Sequence, residues 1–208
     1  MPKIEPFEAY SREYDRWFNK NQNIYLAELE AVKRFIPDES SGVEIGVGTG
    51  RFAAPLGIKV GVEPSKKMGK MAKEQGIEVY EGVAEKLPFE DRKFGFVLFV
   101  TTLCFLDDVE KGIKEARRVL KENGKIIIGF IDRNSKMWEK YRTEKFCGKF
   151  YKDATFYSAE EVREFLVRNG FSEPKFVQTV FEDKKGSIQP VRDGHGEGLF
   201  VVACANKI

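Results

Sequence analysis

The strongest constraint in this 208-residue chain is a series of seven short apolar runs. They read GVEIGV (42–47), KVGVE (59–63), IEVYEG (77–82), FGFVLFV (94–100), KIIIGFI (125–131), KFVQTVF (175–181) and LFVVACA (199–205). The middle runs are continuously apolar rather than alternating. Strands read this way when a parallel sheet buries both of their faces. Helical patterns lie at 7–20, 24–35, 65–75, 109–121 and 159–169. Gly76 and Gly170 supply stops, Asn123-Gly124 closes the fourth pattern, and Ser158 with Glu161 forms a capping box for the fifth. The alternation predicts an α/β fold: a doubly wound, seven-stranded, mostly parallel sheet with helices on both faces. The last two runs are joined by a long loop, 182–197, with no helical pattern. A parallel crossover usually carries a helix, so the final strand is predicted to be antiparallel.

Composition narrows the function classes. Lys and Arg total 35 against 33 for Asp and Glu, a net charge of +2. That balance gives no global field for gripping a nucleic-acid backbone, and nucleic acid is not an expected partner. One His and three Cys argue against a zinc cluster, a disulfide framework or a multi-histidine metal site, so no metal is expected. No apolar run approaches the roughly 20 residues that span a bilayer, and the N-terminus has no signal-peptide core. The expectation is a soluble cytoplasmic protein.

We read 1–208 as one domain. It comprises an N-terminal helical lid (1–36), a ligand-binding core (37–132), an insertion (133–157) and a C-terminal helix with a strand hairpin (158–208). The insertion carries Trp138, Tyr141, Phe146, Phe150, Tyr151, Phe156 and Tyr157, interleaved with Lys and Arg. It reads as a substrate cap, an oligomer interface or a satellite core, with base stacking a weaker alternative.

After the first run comes Val43-Glu-Ile-Gly-Val-Gly-Thr-Gly50. Its glycines allow a sharp turn and a close approach to a ligand. It departs from the dinucleotide pattern G-x-G-x-x-G, because Arg51 holds the last position and the third Gly comes one residue early. Glu63 ends the next run, 19 residues after Glu44. A carboxylate at the carboxyl end of a second strand can accept both ribose hydroxyls.

Further ordered motifs follow these. They are Gly61-Val-Glu-Pro-Ser65, Gly82-Val-Ala-Glu-Lys-Leu-Pro-Phe89, Phe94-Gly-Phe-Val97, and Leu106-Asp-Asp through to Arg117-Arg-Val-Leu-Lys-Glu-Asn-Gly-Lys125. Together the set resembles the class I S-adenosylmethionine-dependent methyltransferases, in the small-molecule branch that includes quinone-biosynthesis enzymes. The resemblance covers roughly residues 40–132. It implies a seven-stranded sheet with an antiparallel last strand, S-adenosyl-L-methionine as cofactor, and methyl transfer to a small-molecule acceptor by in-line displacement.

The resemblance also implies roles. Glu44 and the loop residues Gly46, Val47, Gly48 and Gly50 belong to the cofactor motif, with the backbone of 46–48 approaching the methionine part. Glu63 would hold the ribose hydroxyls. Pro64, Val83 and Ala84 would border the adenine, and Val100 and Thr101 would lie near the sulfur. Two positions depart from the family: Val83 and Gly95 stand where Asp is common. The first removes a side-chain acceptor for the adenine amino group.

Few residues are candidates for chemistry. Methyl transfer from a sulfonium needs mainly alignment, which contributes roughly 7–11 kcal/mol. His195, the only His, is either a base or an exposed loop imidazole. Asp132 is either a substrate contact or the cap of the next segment. Tyr14 is either core packing or a lid residue reaching the cofactor carboxylate, and Arg51 either a surface residue starting a helix or a partner for that carboxylate. Cys104 reads as a buried small hydrophobe or a wall residue. Two other functions compete: a non-catalytic S-adenosylmethionine-binding regulator, and an NAD-dependent oxidoreductase.

Overall fold

A computed structural model describes residues 4–38, 41–145, 148–182 and 186–208. Phe146, one of the seven aromatics noted above, lies outside the described residues. Two helices, α1 (Glu5–Lys20) and α2 (Gln22–Lys33), precede the sheet. Then follow β1 (Gly42–Ile45), β2 (Val60–Val62), α3 (Lys66–Glu74), β3 (Glu78–Tyr80), β4 (Phe94–Val100), α4 (Val109–Val119) and β5 (Leu120–Ile131). The chain continues through α5 (Trp138–Lys145), α6 (Ala159–Arg168), β6 (Lys175–Thr179), β7 (Arg192–Asp193) and β8 (Phe200–Asn206).

The sheet runs β3-β2-β1-β4-β5-β8-β6-β7. β3, β2, β1, β4 and β5 are mutually parallel. β8 inserts antiparallel between β5 and β6, as the missing crossover helix predicts. The sheet has eight strands rather than seven. The extra one is the two-residue β7, paired to β6 through Val177 and Gln178. A pair this short leaves no apolar run to read.

Both faces of the central strands are buried, which explains their continuous apolar character. Val43, Ile45, Val97, Phe99, Ile126 and Ile128 pack with α4 and α6 side chains on one face. Phe96, Leu98, Ile127, Phe200 and Val202 pack with Phe18, Ala31 and Val32 on the other. Each fully buried Ile or Leu contributes roughly 1.5–3 kcal/mol of transfer free energy.

Local signals account for most boundaries. The Ser158 hydroxyl accepts from Glu161 N, and Glu161 Oε2 accepts from Ser158 N, so both arms of the capping box are present. α4 ends at Val119, two residues before its apolar pattern does. Leu120 already pairs with Phe94, and the β4–β5 register shifts before Lys125 meets Phe96. Asn123 takes a φ of 58° inside that break. The stretch 51–57 forms successive turns, not a helix, so Arg51 starts no helix. Pro55 lacks an N–H, and Gly57 reverses the chain at a φ of 73°.

Candidate active site

The loop after β1 is tied to β2. Gly46 and Val47 both donate their N–H to Val62 O, at 2.8 and 3.0 Å. Gly46 has a φ of 71°, and a Cβ there would stand 2.5 Å from Oγ1 of Thr102. Gly48 has a φ of 56°, but the nearest atom to a Cβ there is Cε of Met68 at 3.4 Å. The turn requires glycine at both positions, and at Gly48 a Cβ would meet only ordinary van der Waals contact.

Glu63 follows β2 at the carboxyl end of the sheet and is 8% exposed. Its Oε2 accepts from Gly48 N and its Oε1 from Ser65 N, each at 2.9 Å. Burial pushes this carboxyl up to about 7, against the pull of those two backbone N–H groups. The Ser65 hydroxyl caps α3 by accepting from Met68 N at 3.3 Å. It also donates to Oε2 of Glu8 at 2.6 Å, and Lys67 N donates to the same oxygen at 3.1 Å. The Ser65 bond chiefly holds the Glu8 carboxyl below its ordinary value. Glu8 thus fastens α1 to the N-terminus of α3, where a carboxylate also meets the favourable end of the helix dipole.

These elements wall a cleft. Gly46, Gly48, Glu63 and Pro64 form one side, and Val83, Ala84, Val100 and Thr101 another. Ile4, Phe7 and Tyr14 close over it from the N-terminal segment. The free space inside is about 100 Å³. Thr101 is a β-branched residue held at a φ of 49° by its N–H bond to Gly129 O at 2.8 Å. Such backbone strain costs of order 1–3 kcal/mol and concentrates where function fixes the chain.

A larger cavity, about 500 Å³, lies beside the cleft. Its walls include Trp17 and Phe18 of α1, Glu28 of α2, Phe52, and Tyr141, Phe150 and Tyr151 of the 133–157 segment. Tyr14 and Thr101 line both spaces, and the Tyr14 hydroxyl is hydrogen-bonded to the Thr101 side chain. The Tyr14 ring meets Phe18 and Phe150 edge-on, with centroids 5.4 and 5.5 Å apart. Burial pushes the phenols of Tyr14, Tyr141 and Tyr151 up, keeping them protonated.

A family model described as a methyltransferase domain matches residues 43–128. An uncharacterized protein of Methanocaldococcus jannaschii is 50% identical over 204 residues, 97% of this chain and 98% of its own length. A demethylmenaquinone methyltransferase of Chlorobaculum tepidum is 32% identical over 166 residues, 67% of this chain and 69% of its own. A crystal structure from Thermotoga maritima superposes with a TM-score of 0.94 at 48% identity, over 99% of this chain and 100% of that one. It is described as an S-adenosylmethionine-dependent methyltransferase, possible histamine N-methyltransferase. The chain belongs to the S-adenosylmethionine-dependent methyltransferases. Membership sets aside the oxidoreductase alternative.

The methyltransferase's cleft fits its cofactor. Glu63 stands at the end of β2 with two backbone donors orienting it, and Gly46 and Gly48 bring side-chain-free backbone to the cleft wall. Of the positions expected from sequence, Gly46, Gly48, Glu63, Pro64, Val83, Ala84, Val100, Thr101 and Tyr14 come together on one cleft. Glu44, Val47, Gly50 and Arg51 are not on its wall. Glu44 is buried beneath the loop, where it accepts from the Ala53 backbone, and burial pushes its carboxyl well above the usual range. Val47 fills the space over Gly61, whose absent Cβ would lie 2.6 Å from Cγ1 of Val47. Gly50 packs against Ile77 and Ala72. Arg51 forks onto Asp15, with Nε to Oδ1 at 2.7 Å and a terminal nitrogen to Oδ2 at 2.5 Å.

The two candidate catalytic residues stand apart from both spaces. His195 packs edge-on against Phe176, centroids 4.9 Å apart, with Nδ1 3.7 Å from Oε1 of Glu160. Asp132 is fully buried, and its Oδ1 accepts from Asn134 N at 2.9 Å. That bond closes the turn after β5. Cys104 donates to Thr101 O at 3.4 Å beneath the shared wall.

Sequence reasoning missed Phe7, Met68, Phe105 and Leu106 in the cleft and Phe52 and Glu28 in the larger cavity. Glu28 left a readable sign. It falls on the inward stripe of α2 with Ala27, Ala31 and Val32, where a charge is out of place. No helix among the described residues is long and apolar enough to cross a membrane. No group of three His, Cys, Asp or Glu among them is placed to hold a metal ion.

Proposed function

We propose that this methyltransferase carries a methyl group to a small molecule seated in the larger cavity. The single observation that carries this reading is the shared wall: Tyr14 and Thr101 border both spaces, so a donor in one faces an acceptor in the other. About 500 Å³ falls within the usual range for small-molecule sites, and aromatic walls give such a site apolar area with few ordering costs. An acceptor cavity of that size also speaks against a purely regulatory binder.

In the cleft, the Glu63 carboxylate would accept from the ribose hydroxyls, and the backbone of Gly46 and Gly48 would approach the methionine part. Pro64, Val83 and Ala84 would border the adenine. Val83 offers no side-chain acceptor, so adenine selectivity would rest on the backbone. S-adenosylmethionine supplies an activated methyl group, whose displacement needs alignment more than acid–base help. We take α1 as a lid, because Ile4, Phe7 and Tyr14 narrow the cleft below the roughly 300 Å³ typical of ligand sites. The 133–157 segment acts as the cap of the acceptor cavity. Cys104 and Cys204 are buried and form no disulfide among the described residues, which suits a reducing cytoplasm.

Calorimetry with S-adenosylhomocysteine and transfer of a labelled methyl group test the reading. Histamine, from the description of the T. maritima relative, is the first acceptor to try. Failure to bind S-adenosylhomocysteine would sink the proposal.

A further inference from the structure

Phe150 stands where two covering segments meet. It lines the larger cavity and not the cleft. Yet its ring meets Phe7 and Tyr14, both on the cleft wall, with centroids 5.7 and 5.5 Å away. Phe7 and Tyr14 themselves meet edge-on at 5.4 Å. The three rings form one cluster, with two members from α1 and one from the 148–157 stretch. Aromatic pairs hold by ring geometry as well as by the area they bury, so shifting one ring loosens its contacts with both others. Lys149 adds a second tie between the same segments. Its Nζ donates to Oε2 of Glu13 at 2.8 Å and lies 4.0 Å from the centre of the Tyr10 ring. Tyr10 is where α1 departs from regular helix geometry. An exposed ion pair of this kind contributes little by itself, so the rings carry the larger share.

The 148–157 stretch is also fixed to the core without α1. Tyr151 packs against Phe105 with centroids 5.7 Å apart, and Thr155 N donates to Cys104 O at 2.8 Å. Phe105 meets Phe7 as well, at 5.0 Å, but from the loop after β4, whose place the sheet sets. Removing the Phe150 ring therefore frees the stretch from α1 and leaves it attached to the core.

We propose that Phe150 is a positioning residue that couples the two sites. Closing α1 over the cofactor sets the rings of Phe7 and Tyr14, and these fix Phe150 and the 148–157 stretch as a wall of the acceptor cavity. The methyl donor is then in place before the cavity that faces it is complete. Coupling of this kind is reciprocal: a molecule held in the larger cavity strengthens cofactor binding by the same factor. The inference rests on the proposed reading of the larger cavity as the acceptor site and of α1 as a lid.

The test is hydrogen exchange of the full chain, with and without saturating S-adenosylhomocysteine. Residues 148–157 do not border the cleft, so contact with the ligand does not protect them directly. Their amides are expected to exchange about fivefold or more slowly when S-adenosylhomocysteine is bound, together with those of α1. In Phe150→Ala the slowing of 148–157 is expected to fall below about twofold while that of α1 persists, a pattern that a merely structural role does not give. Lys149→Met keeps the rings and is expected to lose less of the slowing. The exposed 186–193 stretch borders neither space and reports any general stabilisation; its exchange is expected to stay unchanged. Equal exchange of 148–157 with and without S-adenosylhomocysteine overturns the inference. So does slowing that survives in Phe150→Ala, slowing that 186–193 shares equally, or a larger loss in Lys149→Met than in Phe150→Ala. If α1 is slowed and 148–157 is not, the coupling fails while the cofactor cleft and its lid stand. If S-adenosylhomocysteine does not bind, the proposed function falls and the coupling falls with it.

Discussion

Gly48 donates its backbone N–H to Oε2 of Glu63 at 2.9 Å, joining the glycine loop after β1 to the carboxylate that ends β2. Two halves of the cofactor motif, 15 residues apart, are thereby one hydrogen-bonded unit. The loop orients the carboxylate, and the carboxylate satisfies a loop donor that the turn leaves pointing into the cleft.

That unit predicts a pH dependence. Burial raises the Glu63 carboxyl from an ordinary 4.5 to about 7. If Glu63 holds the ribose as proposed, the hydroxyls donate to the ionised form, so S-adenosylhomocysteine affinity is expected to rise with pH up to about 7 and then level. Well below that point the slope approaches about tenfold per pH unit. Stability moves the other way. A raised carboxyl contributes stability that is complete below 4.5 and lost as pH rises through about 7. Calorimetric titrations from about pH 5.5 to 8.5 check the first effect. Glu63→Gln should bind weakly at every pH, and a flat profile in the unaltered protein would count against this account.

Val47 and Gly61 predict a packing couple. A Cβ on Gly61 would stand 2.6 Å from Cγ1 of Val47, in an ordinary backbone conformation, so the conflict is purely steric. Gly61→Ala should cost about 1–3 kcal/mol by overpacking. Adding Val47→Ala should recover part of that loss, a favourable coupling of at least about 0.5 kcal/mol in a double-mutant cycle. Denaturant unfolding measures all three variants. Simple additivity would mean that Val47 does not fill the space over Gly61.

His195 is the case where position decides against composition. As the only imidazole it was the natural base to name, yet it borders neither the cleft nor the larger cavity. His195→Ala is therefore expected to change turnover by less than about threefold at any pH, far below the 10²–10⁴-fold typical of a lost general base. A loss of turnover of about 10²-fold or more in the variant would reverse this conclusion.

What the sequence made legible follows from where each signal is stored. Continuous apolar runs report burial on both faces, so β4 was legible to the residue. The spacing of Glu63 after the glycine loop reports a strand end, so its place in the cleft was legible too. Arg51 was not, because its partner Asp15 lies 36 residues earlier on another element. No local pattern announces a pair of that kind. Asp132 ends a strand at the ligand side of the sheet, and no sequence pattern announces that its Oδ1 accepts from Asn134 N in the turn that follows. Glu28 was passed over because helix glutamates are usually solvated. Its inward register only acquires meaning once α2 is seen walling a cavity.

The lid role proposed for α1 makes the last prediction. α1 reaches the cofactor cleft through Phe7 and Tyr14, and Glu8 fastens it by accepting from the Ser65 hydroxyl and Lys67 N. Further along the helix, Asp15 holds Arg51 and Thr49 Oγ1, the latter at 2.8 Å. The helix departs from regular geometry at Tyr10, between these two attachments. Glu8→Ala therefore frees the first turns of α1 and leaves the Asp15 end attached. Hydrogen bonds to a charged group contribute about 1.5–3 kcal/mol each at most, and this carboxylate is near the surface, so the loss should fall below that range, at about 1 kcal/mol. Dissociation of S-adenosylhomocysteine, followed by stopped-flow fluorescence, should quicken by roughly three- to tenfold, the factor that about 1 kcal/mol supplies. Because the sheet core does not involve Glu8, thermal unfolding without ligand should shift by only a few degrees. An unchanged dissociation rate would show that α1 does not gate the cleft, and that the Glu8 bonds serve only to cap α3.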